Sequence, residues 1–291
     1  MNGTLPPERA GIAAPPSLLQ TRAALAAAPP LYPQHPHIRA QASERNGVPC
    51  LELAPPDPRR TLLYLHGGGY RLGSCAGWAG FAAMLAERLS ARVLLPEYRL
   101  APEHPFPAAL HDALAVLESI TAESMAPIVA GDSAGGGLAV AATLMARRAG
   151  LASPPAAVLL SPWLDLTLSA DSFATNAGCD RFFPRANAEE AAAQYLQGHP
   201  ATDPLVSPLF ADLRGFPPSL VLAGGAETLL ADSTRFAERL AIAGTPVELH
   251  VAAGMQHVWP LIFPELPETS DAVSAIARFL ERAGGATPPL R

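Results

Sequence analysis

The chain has 291 residues, of which 49% are hydrophobic and 16% charged, so it can bury a large core and is not an intrinsically disordered chain. Its net charge of −6 and its 20 scattered basic residues provide no clustered basic face, so we expect no nucleic-acid partner. All 20 basic residues are arginines, which excludes enzymes that need a lysine amine, such as pyridoxal-phosphate enzymes and Walker-type nucleotidases.

The cysteines and the apolar runs indicate the compartment. Cys50, Cys75 and Cys179 are odd in number and widely spaced, a pattern that favours neither a disulfide framework nor a zinc site. Residues 1–20 lack a basic segment followed by an apolar run, so we expect no signal peptide. No run of about 18 apolar residues is present that could span a membrane. We therefore expect a soluble, cytoplasmic protein.

Proline is dense at the start of the chain. Only residues 17–28 are free enough of proline to form a helix of useful length. We interpret residues 1–45 as an arm that lies over the rest of the protein, and residues 46–291 as the main domain.

From residue 60 onward, short apolar runs alternate with longer amphipathic ones. The apolar runs predict strands at 61–65, 92–95, 126–130, 156–160, 219–223 and 247–251. The amphipathic runs predict helices at 78–89, 108–122, 134–148, 229–243 and 268–283. This alternation predicts an α/β fold, a mainly parallel sheet with helices on both faces. Ligands of such sheets bind at the carboxyl ends of the strands.

The segment 167–212 interrupts the alternation. It is too long for an ordinary connection, and it contains a predicted helix at 188–196. We interpret it as a cap insertion and expect it to pack with the N-terminal arm over the carboxyl edge of the sheet.

A candidate nucleophile follows the predicted strand 126–130. The sequence GDSAG at residues 131–135 matches G-x-S-x-G between a strand and a helix, which is the context that this motif requires. A strained turn there would expose the hydroxyl of Ser133 above the sheet, and the helix N-terminus favours developing negative charge. A chance match in a glycine-rich chain is the alternative, and the strand–turn–helix context argues against it.

A glycine run follows the predicted strand 61–65. Three consecutive glycines in HGGGY, residues 66–70, are explained if their N–H groups bind an oxyanion. The phosphate-binding fingerprint G-x-G-x-x-G fails, because Leu72 stands where its last glycine would be.

An activated serine needs a base and an orienting carboxylate. Three histidines follow the serine. Of these, His199 lies in the insertion and His250 lies within a predicted strand, whereas His257 is in a loop at the carboxyl edge. We take His257 as the base. For the acid we prefer Glu227, in the loop after strand 219–223, to Asp232, which falls in the next predicted helix.

Six segments together resemble the hormone-sensitive-lipase family of α/β hydrolases, in particular its bacterial carboxylesterases. They occur in the family's order and span the chain from about 60 to 285: HGGGY (66–70), EYRLAPEHPFPAAL (97–110), GDSAGGG (131–137), SPWLDLT (161–167), ETLLADS (227–233) and GMQHVWP (254–260). The resemblance implies an α/β-hydrolase fold with a helical cap, and it makes residues 46–291 a catalytic domain with its cap insertion at about 167–212.

The resemblance also implies roles for individual residues. Ser133, Glu227 and His257 match the catalytic triad of the family. The amides of its oxyanion hole match Gly68, Gly69 and Ala134. The family often has Asp as the acid, so Glu227 is a departure that lengthens this side chain by one methylene. Residues 98–103 resemble a structural segment that supports the glycine loop, and Asp165 is interpreted as structural.

The expected activity is that of a serine carboxylesterase that acts on small, apolar esters of short or medium acyl chains and needs no cofactor or metal. The aromatic residues of the cap suit such substrates: Phe173, Phe182, Phe183 and Tyr195. An amidase, a lactonase or a deacetylase with the same triad is an alternative, as is a non-catalytic receptor on this scaffold. The resemblance also suggests a homodimer formed through the sheet edge.

Overall fold

The computed structural model describes residues 17–33, 35–123 and 126–284. Residues 1–16 and 34 of the predicted arm, and residues 124–125 and 285–291, lie outside the described residues. Within the described part, the strands are β1 (Arg39–Arg45), β2 (Val48–Ala54), β3 (Arg60–Leu65), β4 (Ala91–Pro96), β5 (Ile128–Asp132), β6 (Ala157–Leu160), β7 (Ser219–Gly224) and β8 (Val247–Ala252).

These strands form one sheet in the order β1-β2-β4-β3-β5-β6-β7-β8. Strands β3 to β8 are parallel to one another, whereas β2 pairs antiparallel with both β1 and β4. The six predicted strands are all present, with ends that differ by up to two residues. The parallel part of the sheet brings the ends of β3, β5, β6, β7 and β8 to one edge, where the candidate residues follow.

The first two strands were not predicted. They form a hairpin whose turn is Asn46-Gly47, with φ angles of 47° and 83°. An Asn-Gly pair at such a turn is a strong local hairpin signal, but the surrounding prolines obscured it. The strand β1 lies inside the segment 1–45, so the last part of the predicted arm is the edge strand of the sheet. The division into an arm and a main domain stays a prediction.

Helices cover both faces of the sheet, as expected. Their bounds are α1 (Leu18–Ala27), α2 (Cys75–Arg88), α3 (Ala108–Glu123), α4 (Ser133–Arg148), α5 (Ser172–Thr175), α6 (Arg185–Leu196), α7 (Leu230–Ile242), α8 (Trp259–Ile262) and α9 (Pro267–Gly284). The helices α2 and α9 share one apolar core with the sheet, and α3, α4 and α7 share the other. Burial of the sheet between these two cores holds the ends of its parallel strands in place.

The N-terminal helix and the insertion helix α6 meet the main domain at a common residue. Arg22, in α1, donates a hydrogen bond of 2.9 Å to the carbonyl of Arg71, which lies just after the glycine run. The guanidinium of Arg71 forms an ion pair of 2.9 Å with Glu190, in α6. Both parts of the predicted cap are therefore attached to the end of the glycine loop.

Candidate active site

Ser133 lies at the junction of β5 and α4, in a sharp turn. Its φ is 52°, in the left-handed region that non-glycine residues rarely adopt. The turn needs glycine nearby, because a Cβ on Gly135 would lie 2.0 Å from the carbonyl oxygen of Leu65. The close approach of α4 to β3 therefore places the serine hydroxyl above the end of the sheet, as the motif predicted.

His257 lies between β8 and α8, and its ring reaches the serine. The imidazole Nε2 is 2.9 Å from Oγ of Ser133, a hydrogen-bond distance across 124 positions of the chain. Both side chains are buried, with exposed fractions of 4% and 5%, so water has little access to this pair. The imidazole is positioned to take the hydroxyl proton.

Glu227 lies after β7, on the other side of the imidazole. Its Oε2 is 3.5 Å from His257 Nδ1, which is longer than a usual hydrogen bond. The carboxylate is fully buried. The structure thus brings together the serine, histidine and glutamate that the sequence singled out.

The alternatives to Glu227 and His257 that the sequence offered have other surroundings. Asp232 accepts hydrogen bonds of 2.8 and 2.9 Å from the N–H groups of Leu164 and Asp165, away from the imidazole. Burial raises the pKa of Asp232 to about 7, the Leu164 N–H opposes this, and the charge of Asp165 adds to it. His199 pairs with Asp203 at 2.7 Å, and His250 lies on the exposed strand β8.

Ser161 also contacts the acid, although the sequence did not single it out. Its hydroxyl donates a hydrogen bond of 2.5 Å to Glu227 Oε2. The Ser161 Oγ also accepts a hydrogen bond of 3.1 Å from the N–H of Val258, the residue after His257. Ser161 directly follows β6, so the rule that site residues follow strand ends could have found it.

The glycine loop follows β3. Gly68 has a φ of 111°, and a Cβ there would lie 2.3 Å from the carbonyl oxygen of Leu72. In the described part of the chain, the N–H groups of Gly68 and Gly69 donate to no carbonyl of a turn or loop. Ala134 is the second residue of α4, whose first N–H groups have no partner within the helix. All three amides are therefore available to a developing negative charge.

Asp132 fixes the start of this loop. Its Oδ1 accepts hydrogen bonds from the Gly67 N–H at 3.0 Å, the Trp78 indole at 2.8 Å and the Tyr64 hydroxyl at 2.9 Å. Burial raises the pKa of Asp132 to about 6, although these three donors oppose the shift. The residue before Ser133 therefore positions the loop on the neighbouring strand.

The segment 98–103 supports the loop from below, as the resemblance implied. The Tyr98 hydroxyl donates to the carbonyl of His66 at 2.6 Å, and its ring stacks on the His66 imidazole at 4.3 Å. The Ala101 N–H donates to the carbonyl of Tyr70 at 2.9 Å. Asp165 is bound by Thr167, Ser169 and Arg235, which agrees with a structural role.

The comparisons with known proteins come from both sequence and structure. Residues 62–261 match the model of a family described by its alpha/beta hydrolase fold. An acetyl-hydrolase of Streptomyces hygroscopicus is 42% identical over 230 residues, which cover 78% of this chain and 77% of that protein. An esterase of Acinetobacter venetianus is 34% identical, over 86% of this chain and 84% of its own.

Solved structures of esterases and lipases are also similar to this chain. A hormone-sensitive lipase from a metagenome library superposes with a TM-score of 0.90 at 36% identity, covering 94% of this chain and 93% of its own. A crystal structure of an esterase from the bacterial hormone-sensitive lipase family has a TM-score of 0.87 at 38% identity, over 94% of both chains. This chain belongs to the bacterial hormone-sensitive-lipase family. It is a carboxylic ester hydrolase with the α/β-hydrolase fold, as the sequence predicted.

Aromatic side chains surround the site of this family member. Phe183 stacks on the imidazole of His257 at 5.4 Å between ring centroids, and Trp163 contacts Phe183 at 5.2 Å. Phe173 and Tyr195 are buried in the core, so they pack the cap rather than line an open pocket. A groove of about 620 Å³ runs beside the histidine loop and is lined by Gly178, Cys179, Arg181, Phe182, Ala226, Gly254, Gln256 and Phe263.

Among the described residues, no cluster of three or more histidine, cysteine or acidic side chains could hold a metal ion. Within those same ranges, no helix has the length and apolar character needed to cross a bilayer.

Proposed function

We propose that this esterase works by two-step acyl transfer through Ser133, His257 and Glu227. His257 Nε2 takes the hydroxyl proton as Ser133 Oγ forms a bond to the ester carbonyl carbon. The carbon–oxygen bond to the alcohol then breaks, and the alcohol leaves with the proton from His257. Water, deprotonated by the same imidazole, releases the acid and restores the serine. The 2.9 Å contact between His257 and Ser133 is the observation that carries this proposal.

The other groups have supporting roles in this proposal. Glu227 holds the imidazole in one orientation and stabilises its positive charge. The amides of Gly68, Gly69 and Ala134 form the oxyanion hole, where each donor contributes on the order of 3 kcal/mol to transition-state stabilisation. The scheme uses only side chains and backbone amides of the chain itself.

We further propose small, apolar esters with short or medium acyl chains as substrates. The buried Ser133–His257 pair lies beside the rings of Phe183 and Trp163, and these apolar surroundings suit an apolar acyl group. Two similarities support this: the acetyl-hydrolase of Streptomyces hygroscopicus, and an esterase structure soaked with p-nitrophenyl butyrate that is 33% identical with a TM-score of 0.88.

The test combines a substrate series with one variant. Hydrolysis of p-nitrophenyl esters with about 2 to 16 acyl carbons is measured for the parent and for Ser133→Ala. We expect the highest kcat/KM at short chains and a loss of several orders of magnitude in the variant. A maximum at about 12 carbons or more would contradict the substrate proposal, and near-normal turnover by the variant would contradict the mechanism.

We also propose that the protein is cytoplasmic. A second proposal is that it forms a homodimer through the edge of its sheet. The strand β8 ends the sheet, and its Leu249 and Val251 are 36% and 46% exposed. Pairing of this strand with its counterpart in a second copy would satisfy the backbone groups of the edge and bring apolar side chains of the two copies side by side. Analytical ultracentrifugation tests this proposal, because a monomer at micromolar concentration would contradict it.

A further inference from the structure

A cap carboxylate makes four hydrogen bonds close to the proposed triad. Asp180 lies between α5 and α6 and is only 6% exposed. Its Oδ1 accepts the N–H groups of Phe182 at 2.9 Å and Phe183 at 3.0 Å. Its Oδ2 accepts the N–H of Thr228 at 2.8 Å and the hydroxyl of Thr228 at 3.1 Å. One carboxylate therefore joins the cap to the residue that follows Glu227.

Further contacts reinforce this junction. The Thr228 hydroxyl has one hydrogen, which it can donate either to Asp180 at 3.1 Å or to the carbonyl of Phe183 at 2.7 Å, and both acceptors belong to the cap. The side-chain amide of Asn176, also in the cap, donates to the carbonyl of Glu227 at 2.8 Å. The cap segment is thus bound to the acid loop on both sides of Asp180.

The junction places a ring against the base. The Phe183 and His257 rings are 5.4 Å apart with an interplanar angle of 25°, so they are stacked. On its other side, Phe183 meets Trp163 edge to face at 5.2 Å and 69°. A stacked ring restricts rotation of the imidazole, and rotation would move Nε2 away from Ser133.

The charge of Asp180 also faces the imidazole. Burial tends to raise the pKa of this carboxyl, but the N–H groups of Thr228 and Phe183 and the charge of His257 lower it below its usual value. Asp180 is therefore ionised at neutral pH. Glu227 lies 3.5 Å from His257, and the charge of His257 also tends to lower the pKa of Asp132, at the end of β5, and of Asp180, in the cap.

We propose that Asp180 is a positioning residue of this enzyme, which holds the Phe183 ring against the imidazole of His257 by binding the cap to Thr228. The inference rests on the proposed function of His257 as the base. It makes correct attachment of the cap a condition for fast proton transfer, and not only for substrate binding. Asp180 itself does not touch the reacting atoms.

A double-mutant cycle tests this inference. In Asp180→Asn, the amide oxygen can still accept the Phe182 and Phe183 N–H groups, but its NH₂ group meets the N–H donor of Thr228 and breaks the junction. Phe183→Leu removes the stacked ring. We expect each change to lower kcat for p-nitrophenyl acetate roughly 10- to 100-fold, and the double variant to be no slower than the slower single variant.

The pH profile gives a second readout that a merely structural role would not move. Without the Asp180 charge the imidazole loses its proton more readily, so the acid limb of kcat/KM should move to lower pH in Asp180→Asn. The matched control is Glu189→Gln, which removes an exposed cap carboxylate paired only with Arg185. That variant should keep the parent's kcat and pH profile.

The outcomes separate this inference from the proposed function. Turnover by the parent and its loss in Ser133→Ala test the triad, whatever Asp180 does. A folded Asp180→Asn variant with kcat within about twofold of the parent, or effects that multiply in the double variant, would overturn the role of Asp180. If Asp180→Asn does not fold, Phe183→Leu decides. It removes the ring that Asp180 is proposed to hold against His257, so kcat within about twofold of the parent there would also overturn the role.

Discussion

The hydroxyl of Ser161 donates a 2.5 Å hydrogen bond to Oε2 of Glu227, the same oxygen that faces the imidazole. Because Ser161 also accepts the Val258 N–H, one side chain binds both the acid and the segment that carries His257. Its own backbone is in the left-handed region, with φ of 47°, at the end of β6. Strand β6 therefore contributes to the site, although none of the three proposed triad residues follows it.

Replacement of Ser161 by alanine should slow the enzyme. The change removes a hydrogen bond to a buried carboxylate, so we expect kcat/KM for p-nitrophenyl acetate to fall roughly 10- to 100-fold. Ser153→Ala is the control, because Ser153 is exposed and precedes β6, at the sheet edge opposite the one where Ser161 lies. Activity of Ser161→Ala within about twofold of the parent would show that the triad does not need this contact.

Replacement of Gly135 by alanine should destabilise the protein. The added Cβ would lie 2.0 Å from the Leu65 carbonyl oxygen and 2.3 Å from that of His66, and backbone atoms cannot move aside cheaply. We expect a loss on the order of 4 kcal/mol in the free energy of unfolding, measured by urea denaturation. Gly178→Ala, where nothing lies within 4 Å of the new atom, should be close to neutral. Equal stability of the two variants would contradict the conclusion that this turn has no space for a side chain at position 135.

Arg22 should determine how firmly the N-terminal helix is attached. It donates to the carbonyls of Arg71 and Ala101 at 2.9 and 2.7 Å, and to Glu103 at 2.8 and 3.0 Å. We expect Arg22→Ala to lower the free energy of unfolding by roughly 1–3 kcal/mol and to speed proteolysis between α1 and β1. Glu103→Gln keeps both carbonyl contacts and should have a smaller effect. A larger effect of Glu103→Gln would show that the carbonyl contacts contribute little.

Asp232 should make stability depend on pH. Its pKa is raised from 3.8 to about 7 in the folded state, so the folded protein binds a proton that the unfolded chain releases. Folding stability therefore falls as pH rises from about 4 to about 7, by on the order of 4 kcal/mol at most.

The variant Asp232→Asn should remove this dependence, because the amide oxygen can still accept the Leu164 and Asp165 N–H groups. We expect urea denaturation to show that the free energy of unfolding of the variant rises relative to that of the parent between about pH 5 and pH 7. Above about pH 7 this difference should stay constant. Asp57→Asn changes an exposed residue and is the control. Its free energy of unfolding should depend on pH in the same way as that of the parent. A constant difference between Asp232→Asn and the parent across this range would rule out titration of Asp232 as the cause.

The parallel strands, the flanking helices and the loops that carry Ser133 and His257 could all be predicted from local patterns. Apolar runs indicate buried strands, and a motif between a strand and a helix indicates a particular turn. Both patterns extend over only a few residues, so they can be recognised in the sequence. The hairpin of β1 and β2 was missed, because the prolines around it outweighed the Asn46-Gly47 signal. That signal was nevertheless present in the chain.

By itself, the sequence determined the family, the order of the six parallel strands along the chain and the preference for Glu227 over Asp232 as the acid. Only the tertiary structure decided which further side chains meet at the site: Ser161 behind the acid, and Asp180 from the cap. The physical reason is distance along the chain. Periodicity and turn chemistry act between neighbours, whereas the Ser161–Glu227 and Asp180–Thr228 contacts join positions 66 and 48 residues apart and exist only once the layers have packed.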